Sequence, residues 1–365
     1  MSDPTTTDER PHRSQPRPRR LLGEVRAALS SRGLLLICGA LLLQLAFILS
    51  YIGAFHSPTP HKIPVAVVAP TDVSGQVVQQ LNDLDGTPVE ARPAESEAAA
   101  RASLLDRSVD AAILVNPRGA TDTLLVASAG GPAVAASATE IAENVEASQG
   151  RQVTTEDILP PAPGDSRGMS PFYLAIGWIV GGYLAAAILG IAGGARPKGA
   201  PHTAVRLGVL AVYAVVSGLG GAIIADPVLG ALTGHFGALW ALGVLTVYAA
   251  AVTTVALQAL LGLLGVGVAI LVFVVLGNPS AGGVYPSSLL PPFWRALGDH
   301  IPTGAATSAI RDTVYFPSHT IDTPLTTLAV YTVASILVTF LAASRRAKEP
   351  LPGNTAEAPK ASADG

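Results

Sequence analysis

The sequence predicts a polytopic α-helical membrane protein, with six transmembrane helices and a small extracytoplasmic α/β domain between helices 1 and 2. Hydrophobic residues make up 49% of the 365-residue chain and charged residues 13%, against roughly 25% charged residues in an average soluble domain. The apolar residues form blocks of about 20, the length at which a helix crosses a hydrocarbon layer of about 30 Å. One long charged stretch separates the first block from the others.

The region up to the end of the first block has three parts. Residues 1–20 are polar and rich in Pro and Arg, which predicts a disordered cytoplasmic tail. Residues 21–32 have apolar residues on one side, which fits an amphipathic helix on the membrane surface or, equally, a helical lead-in to the first span. Residues 33–55 are predicted to be transmembrane helix 1, because their apolar part is longer than that of a signal peptide and no small-residue cleavage motif follows.

Residues 56–170 are predicted to form the extracytoplasmic α/β domain and a linker, because acidic side chains outnumber basic ones and the periodicity is mixed. The predicted strands are 62–70, 87–94, 110–116 and 123–128, and the predicted helices are 71–84, 95–108 and 132–149. Residues 151–170 contain PPAPGDSRG, which is typical of a linker.

Residues 171–346 are predicted to form a membrane domain with five further spans, followed by a disordered cytoplasmic tail at 347–365. The stretch from Phe236 to Leu276 has no charged residue. As one helix it would be about 60 Å long, twice what a crossing needs, so a turn is expected near 258–262. The predicted spans are 171–193, 207–225, 236–257, 261–276 and 325–343.

Basic residues predict the orientation of the spans. They cluster in the amino-terminal tail, in the loop 194–206 with Arg196, Lys198 and Arg206, and after the last span. All three clusters are therefore predicted to be cytoplasmic, with both termini inside. Residues 56–170 and 277–324 are then outside.

The sequence contains no recognisable catalytic motif. It lacks the phosphate loop G-x-x-x-x-G-K-[ST], H-E-x-x-H and G-x-S-x-G, so we predict no enzyme activity, no cofactor and no ATP hydrolysis by this chain. His56, His61 and Asp72 could hold a metal, but unrelated loop histidines are far more common, and no metal site is predicted. The apolar cores contain no Asp, Glu, Lys or Arg, which disfavours an ion-coupled transporter.

Small residues recur at intervals of four in the second predicted span. Gly177 and Gly181 form G-x-x-x-G, and Gly182, Ala186 and Gly190 continue the spacing on a neighbouring face. Such spacing allows helices to approach closely. It predicts either a subunit or gate interface or ordinary packing within one bundle.

The order of elements resembles that of the type-2 ABC exporter permeases. One span is followed by a domain with strands PVAVVAP and VDAAILV and then by five spans, and GNPSAGGVYPSSLLPPFWRALGDHIPTGAATSAIRDTVYF (277–316) is similar to the segment before the last span in their phage-infection-protein (Pip)-like branch. The resemblance implies a bacterial inner-membrane protein in which 277–316 is a re-entrant hairpin at the outer mouth. It also implies a separate ATP-binding subunit, contacted through inside loops such as that of Arg196, Lys198 and Arg206.

The hairpin 277–316 supplies the candidate outer gate. Gly277, Asn278 and Pro279 are expected to end the fifth span, because proline cannot continue a hydrogen-bonded helix. Arg295 on a first short helix is expected to reach water and to pair with Asp299.

The second short helix of the hairpin is expected to be capped by Thr303 and to end near Phe316. Arg311 and Asp312 on this helix are predicted to face away from lipid, because burying a charge in a bilayer is costly. Position 311 is expected to be reachable from outside, beside an interfacial pair formed by Tyr315 and Phe316.

Two functions follow from this sequence. The first is a permease-like exporter subunit, driven by the separate ATPase, which moves an unidentified, amphipathic substrate outward as a homodimer or with a related permease chain in contact with membrane lipid. The second is a non-transporting Pip-like membrane protein that acts as a receptor or scaffold for an envelope or secretion complex. No nucleic-acid partner is predicted.

Overall fold

The computed structural model describes residues 31–196 and 199–347. The predicted tail 1–20, most of the predicted surface helix, Lys198 and nearly all of the tail 347–365 lie outside the described residues. The chain divides into two compact units, 1–46 and 47–365. In the first unit the described residues belong to helix α1 (Ser31–Phe55), in which Leu34, Leu35, Leu41, Leu42 and Leu45 are exposed.

A five-stranded mixed sheet forms the sheet domain, with strand order β2-β1-β3-β4-β5. β1, β2 and β3 are parallel, β4 is antiparallel to β3, and β5 is parallel to β4. The elements in chain order are β1 (Ile63–Val68), α2 (Thr71–Asn82), β2 (Val89–Pro93), α3 (Glu97–Leu105), β3 (Ala111–Leu114), β4 (Thr121–Val126), α4 (Pro132–Ser148) and β5 (Gln152–Asp157). The four predicted strands and three predicted helices are confirmed.

The fifth strand is a correction, because 151–170 was predicted to be a linker. β5 reads QVTTED, and all its side chains are exposed or half-buried. It pairs with β4 alone at the sheet edge. A polar edge strand lacks the apolar alternation that identifies a strand in a sequence.

The two faces of the sheet pack against different partners, as the alternation of side chains along a strand requires. Val65, Val67 and Ile113 pack with the apolar residues of α2 and α4. Ala66 and Ala112 belong to a cluster that also contains α3 and residues of the membrane helices. The sheet domain therefore has one face covered by its own helices and another that is continuous with the rest of the protein.

Five helices in the described residues are long and apolar enough to cross a membrane. They are α1, α5 (Ser170–Gly193), α6 (Ala200–Ile223, continued by a π-helical turn to Val228), α7 (Phe236–Leu261) and α11 (Asp322–Ala347). The fifth predicted span, 261–276, corresponds to α8 (Leu264–Ser280), a shorter apolar helix. The bundle below means α5, α6, α7, α8 and α11.

The turn within the long apolar stretch falls slightly later than predicted. α7 continues through Gln258 to Leu261, and the chain reverses at Gly262, whose φ is 65°. This backbone conformation suits glycine, which has no Cβ. Gln258 is consequently a buried helical residue rather than part of the turn.

α8 ends at Ser280, one residue after Gly277, Asn278 and Pro279, so its predicted end is confirmed to within one residue. Pro279 has no N–H to donate to the Val275 carbonyl one turn earlier, but Ser50 Oγ donates to that carbonyl at 2.5 Å. The π-helical stretch Leu271–Leu276 precedes this last turn. The Ser50 side chain of α1 thus satisfies a backbone carbonyl of α8 that Pro279 leaves without a donor.

Two short helices follow α8, namely α9 (Pro292–Leu297) and α10 (Pro302–Tyr315). α10 packs against α5, α7 and α11. It lies where α5 and α11 begin and α8 ends, as the contacts of Ala306 and Ile310 with the cluster of Ala175 and Leu325 indicate. We call this the sheet end of the bundle, and the opposite end, with Gly194 and Gly262, the loop end.

Candidate functional site

Helix α10 occupies the sheet end of the bundle and is almost entirely buried. Ala305 packs with Ala249 of α7 and Leu328 of α11. Thr303 was predicted to cap this helix, but it does not. Its Oγ1 instead donates to the Phe273 carbonyl of α8 at 3.0 Å. α10 ends at Tyr315, close to the predicted end.

An ion pair joins α10 to the sheet domain. The Arg107 guanidinium, just after α3, donates to Asp312 Oδ1 and also lies 5.2 Å from the centre of the Phe316 ring. Asp312 is 2% exposed. His319 extends the link, because its Nδ1 lies 2.7 Å from the Asp106 carbonyl and its Nε2 3.9 Å from Asp312 Oδ2.

Arg311 is buried beside this pair, with 3% of its surface exposed. Its Nε and Nη2 atoms have no hydrogen-bond partner among the described residues. Burial and the nearby Arg107 charge lower the pKa of Arg311 to about 10, against the opposing influence of Asp312 and Asp165. Arg311 therefore does not reach the surface, and the expectation that position 311 is accessible from outside is wrong.

Tyr315 and Phe316 are buried, not interfacial as predicted. Tyr315 Oη donates to Asp165 Oδ2 at 2.9 Å and accepts from the Ala162 N–H at 3.3 Å. Burial and the hydrogen bond to Asp165 raise the pKa of Tyr315. Asp165 Oδ1 also accepts from the Ser170 N–H at the start of α5, so this tyrosine links α10 to the connection between the sheet domain and the bundle.

A second contact joins the segment after α8 to the sheet domain. Leu289, 1% exposed, belongs to the core that α2 and α4 form on the sheet. The His61 N–H donates to the Ser288 carbonyl at 2.9 Å, and the Pro286 ring lies against Gly131 at the start of α4. The sheet domain thus holds the α8–α10 region at two separate places.

A polar cavity of about 300 Å³ opens beside the ion pair. It lies between α10, the start of α11 and the turn after α3. Its polar lining residues are Arg107, Asp299, Ser308, Asp312, His319 and Thr323.

Arg295 does not pair with Asp299. Its Nε donates to the Ser287 carbonyl at 3.2 Å and its Nη2 to the Leu290 carbonyl at 2.9 Å. These bonds fasten α9 to the segment before it. Asn278 Nδ2 donates to Tyr51 Oη at 2.9 Å, so this candidate gate residue is hydrogen-bonded to α1.

The loop end carries Arg196 and Arg206, two of the residues predicted to couple to an ATPase, but Arg206 is not in a loop. α6 begins at Ala200, and Arg206, 7% exposed, lies within the helix. It donates to Gln258 Oε1 at 2.5 Å, to the Ala186 carbonyl at 3.1 Å and to the Gly194 carbonyl at 3.4 Å. Arg196 lies in the connection between α5 and α6, beside Gly262.

The glycines of α5 face different neighbours. Gly182 lies against Val247 and Ala250 of α7, and Gly190 lies against Gln258. Gly181 faces Tyr213 of α6, and a Cβ on Gly177 would meet nothing within 4 Å. Within this chain, three of the four predicted interface glycines thus serve close helix packing.

Several residues of the site could not be selected from the sequence. Arg107, Asp165 and His319 are ordinary loop residues until α10 is packed beside them. Gln258 stands out in the sequence as a polar residue in an apolar stretch, but it was interpreted as part of a turn and not as a partner for a buried side chain. No group of three or more His, Cys, Asp or Glu in the described residues could hold a metal ion.

The comparisons with known proteins identify no relative of this chain: no protein-family model matches it, and neither a curated protein nor a solved structure is significantly similar to it.

Proposed function

We propose that the chain is a permease-like subunit of an ABC-type exporter, in which a separate ATPase drives opening and the α8–α10 region acts as the outer gate. The observation that carries the proposal is α10 itself. It is a short, buried helix inserted among α5, α7 and α11 at one end of the bundle. A helix in this position would have to move before a pathway between those helices could open at that end.

The link between α10 and the sheet domain supports the same function. Arg107 and Asp312 tie the helix to the turn after α3, and Leu289 anchors the preceding segment in the sheet core. Movement of the sheet domain would therefore move the gate with it. In this proposal the protein lies in the bacterial inner membrane with the sheet domain outside and both termini in the cytoplasm.

The loop end would receive the ATPase. Arg196 is in a connection there, and Arg206 joins α5, α6 and α7 through its three acceptors. A force applied to the α5–α6 connection would be transmitted to three helices at once. Export of an amphipathic substrate by a homodimer, or with a related permease chain, is part of this proposal.

The experiment purifies the tagged full chain from native membranes and measures ATP hydrolysis and the co-eluting subunits. An ATP-hydrolysing subunit is expected in stoichiometric amount. Arg196→Ala is expected to reduce its recovery, whereas Arg295→Ala, at the opposite end, is expected to leave recovery unchanged. Purification of the chain without any ATP-hydrolysing subunit would refute the exporter and favour the receptor or scaffold function.

A further inference from the structure

The sheet domain contains a cleft that the proposed gate does not use. α2 lies over β1 and β2, and α4 lies over β4 and β5, so β3 runs between two helices that cover its neighbours. The space between them has a volume of about 320 Å³. It is within the size range of small-molecule sites in proteins, about 300–1,000 Å³.

The cleft lies at the place where an open α/β sheet binds ligands. Val73 and Val77 line it from α2, which follows β1, and Asn116 and Pro117 line it from the loop after β3. β1 and β3 are adjacent and parallel, but the chain leaves β1 for β2 on one side and β3 for β4 on the other. Such switch points form crevices outside the carboxyl ends of the strands.

The floor of the cleft is apolar. Leu81, Ile113 and Val145 line both the cleft and a smaller apolar space, which Val65 and Ile141 also line. The rim is polar, with the amides of Gln76, Gln80, Asn116 and Gln149. An apolar floor with a few polar groups at the rim fits a molecule that has an apolar part and a hydrogen-bonding end.

The charged residues in the cleft indicate which charge the hydrogen-bonding end of the ligand carries. Arg151 is engaged by the protein: Nη1 donates to Gly119, Nη2 to Asn116 and Asp122, and Nε is shared between Asp122 and Glu146. It has little capacity left for an anion. The formal charges of Asp122, Glu146 and Arg151 sum to one negative charge.

Glu146 supplies the acceptor for a cation. The residue is 5% exposed and lines the cleft, where its Oε2 accepts from Arg151 at 3.2 Å. Burial, the neighbouring Asp122 carboxylate and a hydrogen bond between the two acids raise the pKa of Glu146, against the opposing influence of Arg151. A ligand ammonium group would add positive charge beside the two acids.

We propose that the cleft between α2 and α4 binds a small amphipathic molecule with an apolar body and a protonated amino group, which contacts Glu146. This inference concerns the sheet domain alone and does not depend on the exporter function. A receptor and an exporter subunit could each use such a site.

The test measures binding of three probes that share one ring: 2-phenylethylamine, 2-phenylethanol and phenylacetate. The full chain in lipid nanodiscs is titrated in saturation-transfer NMR, with empty nanodiscs as the blank. The amine is expected to bind with a dissociation constant on the order of 1 mM, as suits so small a ligand, and phenylacetate at least about threefold more weakly.

Two variants locate the site. Glu146→Gln should weaken amine binding about 3–10-fold and leave binding of the alcohol unchanged, while the exposed Glu143→Gln on the same helix should have no effect. Val77→Trp should fill the cleft and abolish binding of all three probes, whereas Trp at the exposed position Gln79 should not. Thermal unfolding verifies that each variant is folded.

Three results would overturn the proposal. The first is no amine binding up to about 10 mM, roughly ten times the expected dissociation constant. The second is amine binding that Val77→Trp leaves unchanged, which would place the amine elsewhere. The third is equal binding of amine and phenylacetate, or insensitivity of the amine to Glu146→Gln, which would refute the charge assignment.

Discussion

The two ends of the bundle each bury an arginine, but the two side chains are accommodated differently. Arg311 at the sheet end lies near two carboxylates, Asp312 and Asp165, yet its Nε and Nη2 make no hydrogen bond among the described residues. Arg206 at the loop end has no carboxylate partner in the described residues and instead donates to two carbonyls and the Gln258 amide. The Arg311 charge is thus offset only in part, by nearby carboxylates. Arg206 is held by hydrogen bonds, although its Nε also has no partner among the described residues.

This difference bears on how each end can move. Hydrogen bonds to carbonyls require close approach and fixed direction, so Arg206 holds α5, α6 and α7 in one arrangement. Attraction between opposite charges in a poorly solvated site acts over longer distances. The carboxylates of Asp312 and Asp165 can therefore act on Arg311 without a fixed contact geometry.

The largest expected effect is an all-or-none difference in accessibility between the two ends. With Cys38 replaced, a cysteine at exposed position 143 of the sheet domain should react with a membrane-impermeant thiol reagent in intact cells. A cysteine at position 196 should react only after permeabilisation, because the basic residues of the loop end favour the cytoplasm. The reverse pattern would invert the orientation and remove the basis for an outer gate at the sheet end.

Asp312→Asn should produce the largest loss of stability, about 3–5 kcal/mol, because it leaves Arg107 and the buried Arg311 without their nearest carboxylate. Denaturant unfolding of the purified chain in detergent measures this loss. Asp299→Asn is the matched control, since Asp299 lines the same cavity but forms no ion pair among the described residues. Equal losses in the two variants would show that the Arg107–Asp312 ion pair does not contribute to the free energy of unfolding.

Arg206→Leu should cost less, about 1–3 kcal/mol, because it leaves the Gln258 amide and two carbonyls without a donor but creates no unpaired charge. The double variant Arg206→Leu with Gln258→Leu should recover part of this loss, since both polar partners are then removed. Strictly additive losses would mean that the hydrogen bond between Arg206 and Gln258 does not stabilise the loop end.

The sequence predicts local structure well and the site poorly, and the residues show why. Strands such as Ile63–Val68 are short apolar runs bounded by turn residues, so their pattern is contained within a few positions. The Arg107–Asp312 pair joins residues 205 positions apart, and the Tyr315–Asp165 bond spans 150. No local periodicity carries that information.

One correction has a different cause, because the local signal was present and another interaction outweighed it. Arg206 was expected in a loop before an apolar run, but α6 begins at Ala200, seven residues before the predicted start of the span at 207. The Arg206 side chain donates to one carbonyl within α5 and to one at its end. Tertiary contacts thus satisfy a group that would otherwise favour a loop.

The smallest expected effect concerns Arg295, the remaining candidate gate residue with a charge. Its bonds to the Ser287 and Leu290 carbonyls are partly exposed, so Arg295→Ala should cost only about 1 kcal/mol in denaturant unfolding. Combined with Asp299→Asn, the losses should add to within about 0.5 kcal/mol, because the two side chains do not touch.

The same double-mutant cycle on Arg107 and Asp312 should give a coupling of at least about 1 kcal/mol, since Asp312 is buried. A substantial Arg295–Asp299 coupling would mean that the sheet end is held by exposed charges as well as by the buried pair, and α9 would then be part of the gate.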